Sequence, residues 1–226
     1  AVQTVQIGGS GAAVQPAAAD VFPVVGVSDY GTERAVSDMG AAQQSGFNAR
    51  FDLEGISRRF NFTGASCWER DFKEGGSGLD ALYVDNADIV FYIGPGNGGG
   101  ISFESNQDDG AVTYTDVAGA WGDLDLEWLA LLSCEVLSDT YYGQKWYTRW
   151  GPTFDGLHLL LGFETLAQDW STFGSTFAQW TLGYRIGSVT LPGMPVRTSW
   201  FLAKAMARPA DRVAVTIGVL GPAGCS

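Results

Sequence analysis

Three stretches of the chain are apolar at consecutive positions: Ile89-Val-Phe-Tyr-Ile93, Leu129-Ala-Leu-Leu132 and Leu157-His-Leu-Leu-Leu-Gly-Phe163. Runs of strand length that lack alternation and are bounded by breakers read as strands buried on both faces. Strands of that kind assemble into a parallel sheet with helices over it, so the pattern predicts an α/β fold. Each of the first two runs delivers a tip of a different character, Gly94-Pro-Gly-Asn97 after one and Ser133-Cys-Glu135 after the other. In an open parallel sheet, ligands bind beyond the carboxyl ends of the strands. Both tips are therefore expected at one edge of the sheet.

The rest of the pattern fills in around these strands. Residues 1–20 are small and carry no charge before Asp20, and they read as an extended arm that needs an outside surface to order it. Residues 21–226 then form a single domain. Val21-Phe-Pro-Val-Val-Gly-Val27 reads as its first core strand and Arg59-Phe-Asn-Phe62 as a short second one. Glu33 to Phe51 reads as a helix, with Val36, Met39, Phe47 and Phe51 roughly on one face and Gly40 and Gly46 weakening the pattern. Residues 97–127 are rich in Gly and Asp, with short β-like pieces at Ile101-Ser-Phe103 and Val112-Thr-Tyr114. They form a long insertion over the two tips, a place where ordered loops often bind. Val196, Trp200, Ala203 and Ala207 recur at helical spacing before Pro209, and Arg212-Val-Ala-Val-Thr-Ile217 closes the pattern as a strand.

Composition narrows the partners. The chain has 226 residues, 46% of them hydrophobic, and a formal charge of −12. That acidity argues against a nucleic-acid or anionic-membrane partner, because binding phosphate depends on clustered Lys and Arg. The acidic, Gly-rich character and a start at Ala1 without Met agree with an extracellular or cell-surface protein, or equally with a trimmed chain. Of the three cysteines, Cys67 and Cys225 can bridge in an oxidising compartment, leaving Cys134 as the thiol; the alternative is three reduced thiols. Asn61-Phe-Thr63 matches a glycosylation acceptor, a triplet that also arises by chance.

Other candidate chemistry is weaker. Gly94-Pro-Gly-Asn-Gly-Gly-Gly100 is either a cleft lined by backbone amides or a flexible turn, and without a Lys-Ser/Thr ending it is no phosphate loop. No cofactor is called for. Asp85, Asp88, Asp108 and Asp109 offer oxygens to Ca²⁺, but not at the spacing of an EF-hand loop. Trp121, Trp128, Trp146, Trp150, Trp170 and Trp180 are either sugar-stacking platforms or core.

Four segments carry a resemblance: Cys67-Trp-Glu-Arg-Asp-Phe-Lys73, Tyr83-Val-Asp-Asn-Ala-Asp-Ile-Val-Phe-Tyr-Ile-Gly94, Leu132-Ser-Cys-Glu135 and Gly156-Leu-His-Leu-Leu-Leu-Gly-Phe163. Together they are similar to a little-characterised prokaryotic family of unknown function that resembles the caspase, gingipain and legumain clan of cysteine peptidases. The similarity covers roughly residues 21–220, and it implies a caspase-like three-layer sandwich, a mainly parallel sheet with helices on both faces. In that clan one strand ends in a His-Gly pair and the next in the nucleophilic Cys. Carried over, the nucleophile falls on Cys134, the His position on Pro95, and the following Gly on Gly96, whose backbone would lie on the oxyanion side. Asn97 and Glu135 flank these positions as candidate binding residues.

Pro95 can neither accept nor return a proton. General acid–base help is worth about 10²–10⁴ in rate, and a thiol needs a neighbouring base to become a good nucleophile. The single histidine, His158, starts its strand about five residues, roughly 16 Å, from the edge that holds Cys134, and reads as a hydrogen-bonded strand residue. The expected function is thus a secreted, catalytically silent caspase-like domain used for binding a peptide or protein, or for extracellular self-assembly through residues 1–20. An active cysteine endopeptidase with Cys134 as nucleophile, and an unrelated α/β activity, are the alternatives. No run is long and apolar enough for membrane insertion.

Overall fold

A computed structural model describes residues 3–7, 29–34, 41–105, 107–167, 170–207 and 212–219. In chain order the strands are β1 (Gln3–Ile7), β2 (Asp29–Arg34), β3 (Ser57–Thr63), β4 (Ile89–Ile93), β5 (Gly96–Asn97), β6 (Gly100–Ser102), β7 (Ala111–Thr113), β8 (Trp128–Leu132), β9 (Thr140–Tyr141), β10 (Gln144–Lys145), β11 (Leu159–Phe163), β12 (Tyr184–Ile186), β13 (Val189–Leu191) and β14 (Ala214–Val219). The helices are α1 (Ala41–Leu53), α2 (Trp146–Trp150), α3 (Phe173–Leu182) and α4 (Val196–Ala207). Among the described residues the main sheet has seven strands in the order β1-β14-β11-β8-β4-β2-β3. Every neighbouring pair is parallel except β11 with β14. The fold is mixed α/β around a mainly parallel sheet.

The centre of the sheet is where the apolar runs predicted it. All five residues of β4 and all five of β11 are buried, as are four of the five in β8. Alternate residues feed two cores. Ile89, Phe91, Ile93, Ala130, Leu132, Leu161 and Phe163 face a layer made by α1, α3 and α4, where Phe47, Phe177 and Trp200 are buried. Val90, Tyr92, Leu129, Leu131 and Leu160 face the other way, toward Phe72, Trp121, Trp146 and Trp150.

That second layer corrects the expectation of helices on both faces. It consists of short 3-10 turns between Gly64 and Asn86, the five-residue α2, and the small sheet β5-β6-β7. Buried aromatics substitute for helix there: Trp121 stacks on Trp150 at 5.9 Å, and their indole N–H groups donate to the carbonyls of Phe72 (3.1 Å) and Val136 (2.8 Å). Three of the candidate sugar platforms, Trp121, Trp146 and Trp150, are therefore core residues.

The start of the domain also differs. Val21–Val27 lies outside the described residues. The strand beside β4 is the polar Asp29-Tyr-Gly-Thr-Glu-Arg34, so Glu33 and Arg34 belong to β2 and the helix runs from Ala41. Pairing on both sides, to β3 and β4, overrides the weak helical pattern. Thr32 is buried in β2, and its hydroxyl donates to Asn61 Oδ1 at 2.6 Å. Within the N-terminal arm, Gln3–Ile7 pairs in parallel with Val215–Val219 of the same chain. No helix of the described residues is long and apolar enough to cross a membrane.

Candidate functional site

β4 and β8 run side by side in parallel with Ile93 level with Leu132. Pro95 and Cys134 are each two residues beyond that pair. Ile93 and Leu132 both face the layer of α1, α3 and α4, and side chains two apart on a strand share a face. The expectation that the two tips share one edge on adjacent strands is met, and the Gly94 N–H donates to the Leu132 carbonyl at 3.4 Å.

The tip after β4 is a packed hairpin. The carbonyl of Pro95 accepts from the Ser102 N–H at 3.0 Å, and the Tyr92 hydroxyl donates to the Ser102 carbonyl at 2.6 Å. Gly96–Asn97 pairs with Gly100–Ile101 across a turn at Gly98 and Gly99, where the Asn97 side chain accepts the Gly99 N–H at 2.7 Å. A β-carbon on Gly98 would sit 2.6 Å from Ser138 Oγ and against the ring of Tyr141. One on Gly96 would overlap Ser133 Oγ and lie 2.8 Å from the Gly100 carbonyl. Gly96→Ala should therefore lower stability by about 1–3 kcal/mol, the usual range for overpacking. Urea unfolding measures this; an unchanged midpoint would mean that the hairpin does not seat against Ser133.

The tip after β8 is tied to the segment that follows β11. The Glu135 N–H donates to the Thr165 carbonyl and the Leu137 N–H to that of Phe163, each at 2.9 Å. Glu135 is exposed with φ 54, a left-handed conformation that a glutamate adopts only when its surroundings impose it. Cys134 is partly buried, and its Sγ donates to the Ala167 carbonyl at 3.4 Å. Ser133, on the opposite face, is buried with its hydroxyl unpartnered. Cys67 is buried, and Cys225 lies outside the described residues.

His158 sits at the other edge. It immediately precedes β11, whose first residue Leu159 is level with Trp128, so it lies about seven residues, or ~23 Å, from Cys134 along the strand direction. Its Nδ1 pairs with the Glu127 carboxylate. Arg149, which the sequence reading missed, is a cation buried beneath the hairpin that meets the Gly98 turn. Its guanidinium donates to the carbonyls of Ser138 (2.7 Å) and Gln144 (2.5 Å), and burial pulls its pKa down. It ties together the two ends of the 138–145 hairpin, whose Ser138 and Tyr141 leave no room for a side chain at Gly98. An Arg within Trp146-Tyr-Thr-Arg-Trp150 gave no warning of this, because the sequence does not show which side of so short a helix faces inward.

The aspartates considered for Ca²⁺ are divided. Asp108 and Asp109 pair with Lys73 at 2.7 and 3.0 Å, whereas Asp85 is anchored on backbone amides of residues 122–124. Among the described residues, no three His, Cys, Asp or Glu side chains group as a metal ion requires.

A mixed α/β domain with two loop tips at the carboxyl edge of a mainly parallel sheet is what these elements define. The chain belongs to the family described as domain of unknown function DUF6345, whose profile matches residues 24–225. No curated protein matches it.

Proposed function

We propose that this chain is a secreted caspase-like domain that has lost peptidase chemistry and binds a peptide or protein at the carboxyl edge of its sheet. The observation that supports this reading is the pairing of Cys134 with Pro95. The thiol stands where the clan's nucleophile would, a residue without proton chemistry stands beside it, and the single histidine is about 23 Å away by strand rise. The Cys134 Sγ is occupied by the Ala167 carbonyl at 3.4 Å, and among the described residues no basic side chain bonds to it. The edge that remains offers exposed Asn97 and Glu135 on a hairpin and a turn held in place by packing, and rigid tips of this kind suit binding.

The test is the chemistry of the unmodified protein. Iodoacetamide labelling at Cys134, followed by mass spectrometry, should be slow at mildly acidic pH and should climb only in the alkaline range, as for thiols with no base beside them. Turnover of unfolded protein substrates should be absent. Peptides selected on the immobilised domain should lose affinity on Asn97→Trp. Fast labelling at acidic pH, or turnover abolished by Cys134→Ala, would restore the peptidase reading.

A further inference from the structure

The connection between α3 and α4 is a hairpin that presents apolar side chains to water. β12 and β13 pair in antiparallel, with Ile186 level with Val189 and Tyr184 level with Leu191. Residues level with one another, or two apart on a strand, share a face, so these four make one side of the hairpin apolar. Tyr184 and Leu191 are half-buried, and the Tyr184 ring stands edge-on to Trp180 at 5.6 Å. Ile186 and Val189 are 60% and 56% exposed. Met206, exposed and in contact with the Trp180 indole N–H through its sulfur at 3.2 Å, extends the patch. A group of large apolar side chains held in water beside charged ones marks a contact surface.

The chain segregates its charge, and the hairpin lies in the basic part. Residues 170–210 contain four Lys or Arg and no Asp or Glu. Arg185 is exposed on the hairpin, and Arg197 and Lys204 are half-exposed on α4. Residues 74–144 contain thirteen Asp or Glu and no Lys or Arg. Within that acidic stretch Leu82 and Leu124 are 62% and 57% exposed. Their segments are bonded together at Asp85, whose carboxylate accepts the Leu124 N–H at 2.9 Å and whose carbonyl accepts the Asp125 N–H at 3.0 Å. Exposed Asp123 and Asp125 flank Leu124. The molecule thus has two apolar patches of opposite charge.

Both lie at the amino edge of the parallel strands, on opposite faces of the sheet. α1 ends at that edge, just before β3, and there the Arg50 guanidinium donates to the Gly183 carbonyl at 2.8 Å, one residue ahead of β12. Leu82 and Leu124 precede β4 and β8, whose first residues Ile89 and Trp128 are level, and they belong to the layer of Trp121 and Leu126 rather than to the helical one. A two-fold axis along this edge lays the hairpin of each copy on the acidic patch of the other, and such a contact closes at two copies.

We propose that the β12–β13 hairpin docks on the Leu82–Leu124 patch of a second copy of this chain, reciprocally, to form a two-fold dimer.

The formal charge of −12 does not prevent this. At physiological salt, charges more than about 8 Å apart are largely screened, whereas those facing each other across a contact still act. Ile186 and Val189 supply apolar area to bury, and Arg185 and Arg197 against Asp123 and Asp125 fix which surfaces meet. The contact lies away from the Cys134 edge, so it stands or falls apart from the binding proposed there.

Sedimentation equilibrium and native mass spectrometry of the intact chain at physiological salt test this. The unmodified chain should run at twice its monomer mass. Ile186→Ser with Val189→Ser, both exposed positions, should weaken the dimer by about tenfold or more. Arg185→Glu with Arg197→Glu should weaken it by a similar factor, as should Asp123→Lys with Asp125→Lys in a separate chain, because each sets like charges against each other. Mixing these two charge-reversed chains restores opposite charge at both contacts and should return a mixed dimer, recognisable by its mass. Monomers at every concentration would overturn the proposal, as would species larger than two copies, a dimer indifferent to the serine changes, or charge-reversed chains that fail to pair when mixed. So would a monomer whose hairpin binds phosphatidylserine vesicles, which would make the patch a membrane contact instead.

Discussion

Replacing Trp200 with alanine should destabilise the domain by about 3–5 kcal/mol, the range for removing a large buried aromatic. Trp200 has no exposed surface and stands where α4 meets the sheet. Its ring centroid is 4.8 Å from Phe173, 5.2 Å from Phe177 and 5.4 Å from Phe163, and its N–H donates to the Gly162 carbonyl at 3.3 Å. The truncation opens a cavity among three aromatics from two other elements, which cannot all collapse into it, and removes the indole N–H from the Gly162 carbonyl. Against a typical total of about 5–15 kcal/mol this is a large share. Trp200→Phe keeps much of the ring and should lose less, mainly the hydrogen bond at about 1 kcal/mol. Thermal or urea unfolding of both variants measures the difference. If alanine costs no more than phenylalanine, the layer of α1, α3 and α4 does not close on Trp200 as described.

The difference between what sequence revealed and what it hid follows the same physics. β4, β8 and β11 were legible because burial on both faces leaves an unbroken apolar run, and Ile89–Ile93 matches its run residue for residue. β2 was not, because Asp29–Arg34 is polar and becomes a strand only through its two neighbours. Strand direction sufficed to bring Pro95 and Cys134 to one edge and to send His158 to the other. What closes the site is non-local and left no pattern: the Ala167 carbonyl on Cys134, the Ser133 hydroxyl under Gly96, and Arg149 between two carbonyls. The glycine run shows the limit well. It suggested a flexible turn, whereas Gly96 and Gly98 are small because Ser133, Ser138 and Tyr141 leave no room for a side chain.

Pro95→His should raise the labelling rate of Cys134 near neutral pH by about tenfold or more, the gain expected when a thiol acquires an imidazole partner that lowers its pKa by a unit or more. Strand register favours the contact. Position 95 is two residues past Ile93, Cys134 is two past Leu132, and those two are level on adjacent parallel strands whose side chains there face the same core. The backbone at 95 is held through its carbonyl by the Ser102 N–H at 3.0 Å, a bond that a histidine keeps. An imidazole at 95 can compete with the Ala167 carbonyl for the thiol and stabilise the thiolate as an ion pair. Pro95→Ala separates this effect from any loosening of the hairpin, and Cys134→Ser marks the background. The expected pattern is a rate profile displaced toward acid in Pro95→His alone. Identical profiles for Pro95→His and Pro95→Ala would mean that the residue at 95 does not reach the thiol. In that case the relation between these two tips, on which the silent-peptidase reading rests, would fail even if Cys134 itself proved unreactive.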